Sequence, residues 1–149
     1  MARCAYKLPE EFLLKCSRLA DKTDVIMENV LQDGGTVVLG KVKSNLQSVI
    51  GKNTKYPSKS TGKLAAALGM TTVKVDRRGN HNLKIGFSEP RRCARSSRGS
   101  GINALIANVL EHGKHNQPPR PFLKTAKSAS KNSCIEAMKA RLEREINNL

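Results

Sequence analysis

The feature that most constrains this chain is a change of hydrophobic period near its middle. On either side, apolar residues recur every three or four positions. Between them, Val73 and Val75 alternate with Lys74 and Asp76, and Leu83, Ile85 and Phe87 alternate with Lys84 and Gly86. Alternation on both sides of Arg77-Arg78-Gly79-Asn80-His81 predicts a β-hairpin, with Gly79 and Asn80 supplying positive φ angles. A lone hairpin is barely stable in water, so this one must pair with more strands or lie on helices. The pattern therefore predicts an α+β fold: a small antiparallel sheet with a β-hairpin packed against helices, and long N-terminal and C-terminal helices.

The helical stretches read as follows. Residues 9–31 carry a stripe of Phe12, Cys16, Leu19, Thr23, Ile26 or Met27, and Val30, with Pro9, Glu10 and Glu11 suited to a first turn. Gly34 and Gly35 are expected to break it. A second helix, residues 36–50, has the stripe Val38, Val42, Leu46 and Val49, weakened at Gly40. Residues 51–60 read as loop, and 61–68 as a short helix ended by Gly69. The apolar run 102–110 fits a buried helix with Ile102, Leu105, Ile106 and Val109 inward, although so short a run leaves a strand open; Gly113 follows as its C-cap. A last helix from about Pro121 carries Ile135, Met138, Leu142, Ile146 and Leu149, and Arg141, Glu143, Arg144 and Glu145 are expected to face solvent or a partner. All 149 residues are expected to form one domain, a helical part at 9–50 joined to an α+β part at 61–149 with a basic loop at 88–101.

Charge bears on partners and says nothing about fold. With 27 Lys and Arg against 12 Asp and Glu, the net charge is +15. Attraction to nucleic acid and attraction to acidic proteins are both consistent with that excess. The loop at 88–101 concentrates it in Arg91, Arg92, Arg95 and Arg98. This segment reads either as a partner or polyanion contact that orders on binding or as a solvated surface loop, and no aromatic residue is interleaved to stack on a base.

A search for chemistry finds no assembled site. Cys4, Cys16, Cys93 and Cys134 lie far apart, and His81, His112 and His115 stand at no metal-ligand spacing from them. The thiols are expected to be reduced, with Cys16 and Cys134 acting as small hydrophobes on helical faces. Glu111 beside His112 has no nucleophile nearby in sequence, and Thr61-Gly62-Lys63 lacks the rest of a phosphate loop. No metal or cofactor is implied and the expectation is a non-enzyme. The N-terminus is not a secretory signal and no stretch approaches a membrane span, so a soluble protein with no membrane partner is expected.

Two motifs stand in a recognisable order. Ser60-Thr61-Gly62-Lys63-Leu64 leads into the short helix and the strands. About fifty residues on come Glu111-His112-Gly113, then Pro118-Pro119-Arg120-Pro121-Phe122-Leu123-Lys124-Thr125-Ala126. The order, over roughly residues 57–149, resembles the tail-component family of the head–tail joining cluster of lambda-like siphophages and prophages. His112 stands where that family usually has an aromatic residue, and Lys114 where it has Thr.

The proline segment also has a physical reading of its own. Pro119 and Pro121 extend the residues before them, Pro121 suits a helix start, and Phe122 is an anchor whose burial contributes about 1.5–3 kcal/mol. Arg120 would face an acidic partner or solvent.

The resemblance implies a virion structural protein that completes the tail and joins it to the head, as a homo-oligomeric, hexameric ring between the head connector and the tail terminator or tail tube, assembled in the host cytoplasm. It implies Thr61, Gly62, Leu64, Glu111, Gly113, Pro119, Arg120, Pro121, Phe122 and Ala126 as motif and anchor positions. The alternative from charge is a basic protein that binds phage DNA.

Overall fold

A computed structural model describes residues 9–52, 62–88 and 102–148. Its elements are helix α1 (Glu10–Val49), helix α2 (Lys63–Ala67), strands β1 (Leu68–Met70), β2 (Lys74–Val75), β3 (His81–Asn82) and β4 (Ile85–Phe87), helix α3 (Ile102–His112) and helix α4 (Leu123–Asn147). The α+β architecture with long first and last helices is as the periodicity implies.

The expected break at Gly34 and Gly35 does not occur: α1 is one helix of 40 residues. The glycines serve close packing. A Cβ on Gly34 would lie 2.6 Å from Met138 Cγ, and one on Gly35 would lie 2.6 Å from Met70 Sδ and 2.9 Å from Leu83 Cδ2. α4 therefore approaches one side of the helix and the hairpin another. The propensity cost of two mid-helix glycines, about 1 kcal/mol each, is offset by this approach.

α1 and α4 run antiparallel as the main seam. Asn45 lies beside the start of α4, Gly34 beside Cys134 and Met138, and Asn29 donates to Glu145 near its end at 3.0 Å. Arg141 pairs with Glu145 at 2.8 Å and reaches Asp33 at 3.8 Å. Arg141 and Glu145 thus set the register of the seam and do not simply face solvent; partly exposed pairs of this kind contribute little energy.

The strands form one long hairpin with a fault in it. β1 pairs with β4, Leu68 opposite Phe87 and Met70 opposite Ile85. β2 pairs with β3, Lys74 opposite Asn82 and Val75 opposite His81. The Thr71 amide still bonds to Lys84 O at 2.9 Å, so Thr72 and Val73 stand against Leu83 alone, a bulge that shifts the register by one residue. The simple alternation expected for the hairpin therefore fails beyond the bulge, and Val75 is exposed. Gly69, expected to end a helix, lies inside β1 opposite Gly86. The turn is held by Asp76, whose carboxylate accepts the amides of Arg78 and Asn80 at 2.8 and 2.9 Å; those bonds, from Asn80 first, hold it below the usual carboxylate range.

The core gathers at one end of the seam: Val42, Leu46, Leu64, Ala107, Phe122 and Ala126, with Phe87 and Leu110 against it. α3 is a helix, but its buried face differs from the expected one. Asn103 and Ala107 are buried, while Leu105 is 61% exposed. Asn103 is turned inward because its side chain donates to Ser88 O at 2.9 Å, tying α3 to the end of the hairpin.

Candidate functional site

The motif residues converge where α3 hands over to α4. α3 ends on Gly113 at φ +80°, where a Cβ would come within 2.8 Å of Gln117 O and Pro119 N. Only glycine suits that position, on both conformation and space. The chain reverses through His115 and Asn116, with Lys114 and Gln117 exchanging backbone bonds of 2.8 Å. Pro118 and Pro119 then carry it back alongside α3, where the Arg120 amide donates to Leu110 O at 2.8 Å.

α4 starts two residues later than the sequence suggests. Phe122 is the N-cap, and Leu123, not Pro121, is the first helical residue. No side chain of the cap residue serves the free amides of the first turn; Glu111 does. Its Oε2 accepts the amides of Phe122 and Leu123, both at 2.8 Å, and its Oε1 accepts that of Lys124 at 2.9 Å. A carboxylate across a helix N-terminus satisfies orphan donors and lies at the positive end of the helix dipole. Burial raises the Glu111 pKa, but the three amide bonds and neighbouring His112 outweigh it, and the carboxyl is held below the usual glutamate range. Both oxygens are occupied, so Glu111 is built as a cap and not as an acid–base pair with His112.

Phe122 is fully buried, its ring edge-on to Phe87 at a centroid distance of 6.2 Å. Leu64 and Ala126 join the same cluster. Thr125 Oγ1 donates to Pro121 O at 2.8 Å, and Asn45 Nδ2 reaches Phe122 O at 3.4 Å and Thr125 Oγ1 at 3.3 Å, which fastens the junction to α1. Gly62 takes the left-handed conformation at the start of α2. Pro119 packs against Gly113, and Pro121 is exposed. The structure thus brings Leu64, Glu111, Gly113, Pro119, Phe122 and Ala126 into one junction. Thr61, Arg91, Arg92, Arg95 and Arg98 lie outside the described residues. Sequence reasoning missed Asn45 and Phe87 as partners of the junction; no motif marks Asn45, and Phe87 was visible only as a strand residue.

Among the described residues, no group of three or more His, Cys, Asp or Glu is placed to hold a metal ion. Cys16 is exposed on α1, against the expectation of a packed thiol, and Cys134 is half-buried beside Met138. No described helix is long and apolar enough to cross a membrane.

What remains is a junction built to fix the direction of a long helix, in a chain whose other long helix runs past the core. A family model described as "Bacteriophage HK97-gp10, putative tail-component" matches residues 10–113, from the first turn of α1 to the glycine that ends α3. The chain belongs to this family. No curated protein and no solved structure matches. As an HK97-gp10-like phage tail component, the protein is a virion structural protein that works among other virion proteins. The match includes Gly62, Leu64, Glu111 and Gly113, so the capping glutamate lies within the family region while the helix it caps begins just beyond it.

Proposed function

We propose that this tail component completes the tail at the head–tail joint, as one subunit of a closed ring, hexameric in the assembled particle, between the head connector and the tail terminator or tail tube. One observation carries the reading. Among the described residues the core cluster is closed by the base of the α1–α4 seam, yet Phe12, Leu13, Leu14 and Val25 on α1 and Ile135 and Ile146 on α4 are all 41–60% exposed. A chain of this size that leaves large apolar side chains on both long helices is suited to burying them against other subunits. The junction contributes rigidity, since a helix that must meet a neighbour in register has to leave its own core in a fixed direction. No step of this role needs chemistry, and we read the protein as a non-enzyme. The test is deletion of the gene from its phage or prophage, followed by electron microscopy of lysates. Full heads and separate finished tails, joined again when the protein is supplied, are expected. Normal joined particles lacking the protein would overturn the reading.

The net charge of +15 favours a second reading, contact with the DNA that passes through the joint. Micromolar or tighter binding near physiological salt, falling steeply as salt rises, supports it. A protein that ignores DNA at that salt removes it.

A further inference from the structure

The stripe expected on the first helix is present, but the body covers only its lower part. Ile26 and Val30 are buried, whereas every residue of 10–25 is exposed, Phe12, Cys16, Leu19 and Thr23 among them. The reason is length. α4 stops at Asn147, two residues past Glu145, which accepts from Asn29, and on the hairpin His81 lies 3.2 Å from Asp24. Residues 10–23 therefore project beyond the described parts of α4 and the hairpin as an exposed amphipathic arm of about 20 Å at 1.5 Å per residue.

The arm differs in charge from the rest of the chain. Within residues 10–23, Glu10, Glu11 and Asp21 balance Lys15, Arg18 and Lys22, in a protein of net charge +15. Past the arm, Asp24 and Asp33 face His81, Arg141 and Arg144 of their own chain. Glu10 and Glu11 stand at the tip.

A complementary surface lies on α4. Lys124, Lys127, Lys131, Ile135, Leu142 and Ile146 recur at helical spacing on the flank of α4 next to the line of Cys134, Met138, Arg141 and Glu145 that meets α1, and all are exposed. Lysines occupy the first half of this face and apolar residues the second. The apolar half also fits the arm in spacing: Phe12, Leu19 and Thr23 stand at the same intervals as Ile135, Leu142 and Ile146. Laid parallel, the two stripes coincide and set Glu10 level with Ser133, next to Lys131, with Lys127 about 9 Å further along the helix axis.

We infer that the arm of one copy docks on this exposed flank of α4 of the next, its apolar stripe on Ile135, Leu142 and Ile146 and its acidic tip towards Lys131 and the lysines beyond it. The inference rests on the ring reading and specifies its contact. Such a contact is heterologous, arm to face, as closure of a ring requires. Its charged end gives it salt sensitivity and fixes its polarity.

The test is sedimentation velocity on the full chain over a concentration series. The wild type is expected to self-associate. Phe12→Ser with Leu19→Ser, and separately Leu142→Ser with Ile146→Ser, are each expected to weaken association about ten-fold or more. Mixed together, the two variants should form a one-to-one dimer, because one intact arm meets one intact face. Lys124→Glu, Lys127→Glu and Lys131→Glu together should weaken association, and Glu10→Lys with Glu11→Lys in the same chain should restore it. A wild type that stays monomeric throughout overturns the inference. So does an arm variant that fails while the face variant associates normally, which would mean arm pairing with arm. A lysine variant that loses only binding to a DNA oligonucleotide also overturns it. The neck reading stands or falls separately, on whether purified particles contain the protein: arm variants that still enter normal necks would remove the docking contact and leave the ring.

Discussion

The two ends of the α1–α4 seam are built on opposite terms. At the base, Leu46 and Phe122 are fully buried, Glu111 satisfies three amides, and Asn45 ties the helix start to α1. At the other end, α1 runs on past the last turn of α4 with Phe12, Leu13 and Leu14 half or more exposed. The base holds most of what stabilises the fold, and the arm holds almost none of it. A tail component needs both, a rigid body to set direction and an unspent surface to meet its neighbours. The difference can be measured, because side chains that are equally apolar should have very different effects on stability at the two ends.

The largest effect should come from Phe122→Ala. Removing a ring with no exposure from a small core costs about 3–5 kcal/mol, which for a domain of this size lowers Tm by on the order of 10 °C. Calorimetry showing an unchanged Tm would mean that the base is not where stability resides, and the contrast with the arm would collapse.

Next is Glu111→Gln, which keeps the shape but loses the charge and turns an NH2 group towards backbone amides. Loss of charge-assisted bonds at a buried cap should cost about 1.5–3 kcal/mol. The sign of the pH effect is fixed. The carboxyl is held below its usual value in the folded protein, so its contribution is full above the unfolded glutamate pKa and is lost as pH falls through the folded value. Acid unfolding of the wild type should include this loss, and the variant should lack it. Parallel acid-unfolding curves for the two would show that the cap carries no differential charge stabilisation.

The glycines of α1 sharpen the comparison within one helix. Gly34→Ala pushes a methyl group into Met138 and should destabilise by about 1–2 kcal/mol, as overpacking does. Gly40 has nothing within 4 Å of an added Cβ, so Gly40→Ala should stabilise by about 0.5–1 kcal/mol through helix propensity. Urea midpoints moving in opposite directions are the expected result; shifts of one sign would mean that the close approach at Gly34 yields easily.

These residues also show what could be read before the structure. The change of period at residues 73–87 gives an α+β chain with long outer helices, and the order of Glu111, Gly113 and Phe122 gives the family resemblance. Gly34 and Gly35 were opaque, because a glycine pair that breaks a helix and one that admits a neighbouring helix look alike until the neighbour is known. The hairpin bulge was hidden for a similar reason, since alternation fixes a face only while the register holds. Glu111 was visible as a motif residue and not as a cap, because its three partners lie eleven to thirteen residues on, beyond the reach of local capping rules. Asn103 lies in an apolar run where nothing local marks it, because its partner, Ser88 O, is at the end of the hairpin.

The smallest expected effect completes the comparison. Phe12→Ser with Leu19→Ser removes two large apolar side chains from the same helix that contributes Leu46 to the core. In most positions such a change would cost several kcal/mol. Here Phe12 is 53% and Leu19 37% exposed, and both lie beyond the last turn of α4. Thermal unfolding of the dilute protein should therefore shift by no more than about 0.5 kcal/mol, the range of ordinary surface substitutions. The measurement is informative because it is made well below any self-association: stability conferred by a neighbour appears only as concentration rises. A large loss in dilute solution would mean that the arm folds back on its own body, and the two ends of the seam would then be alike.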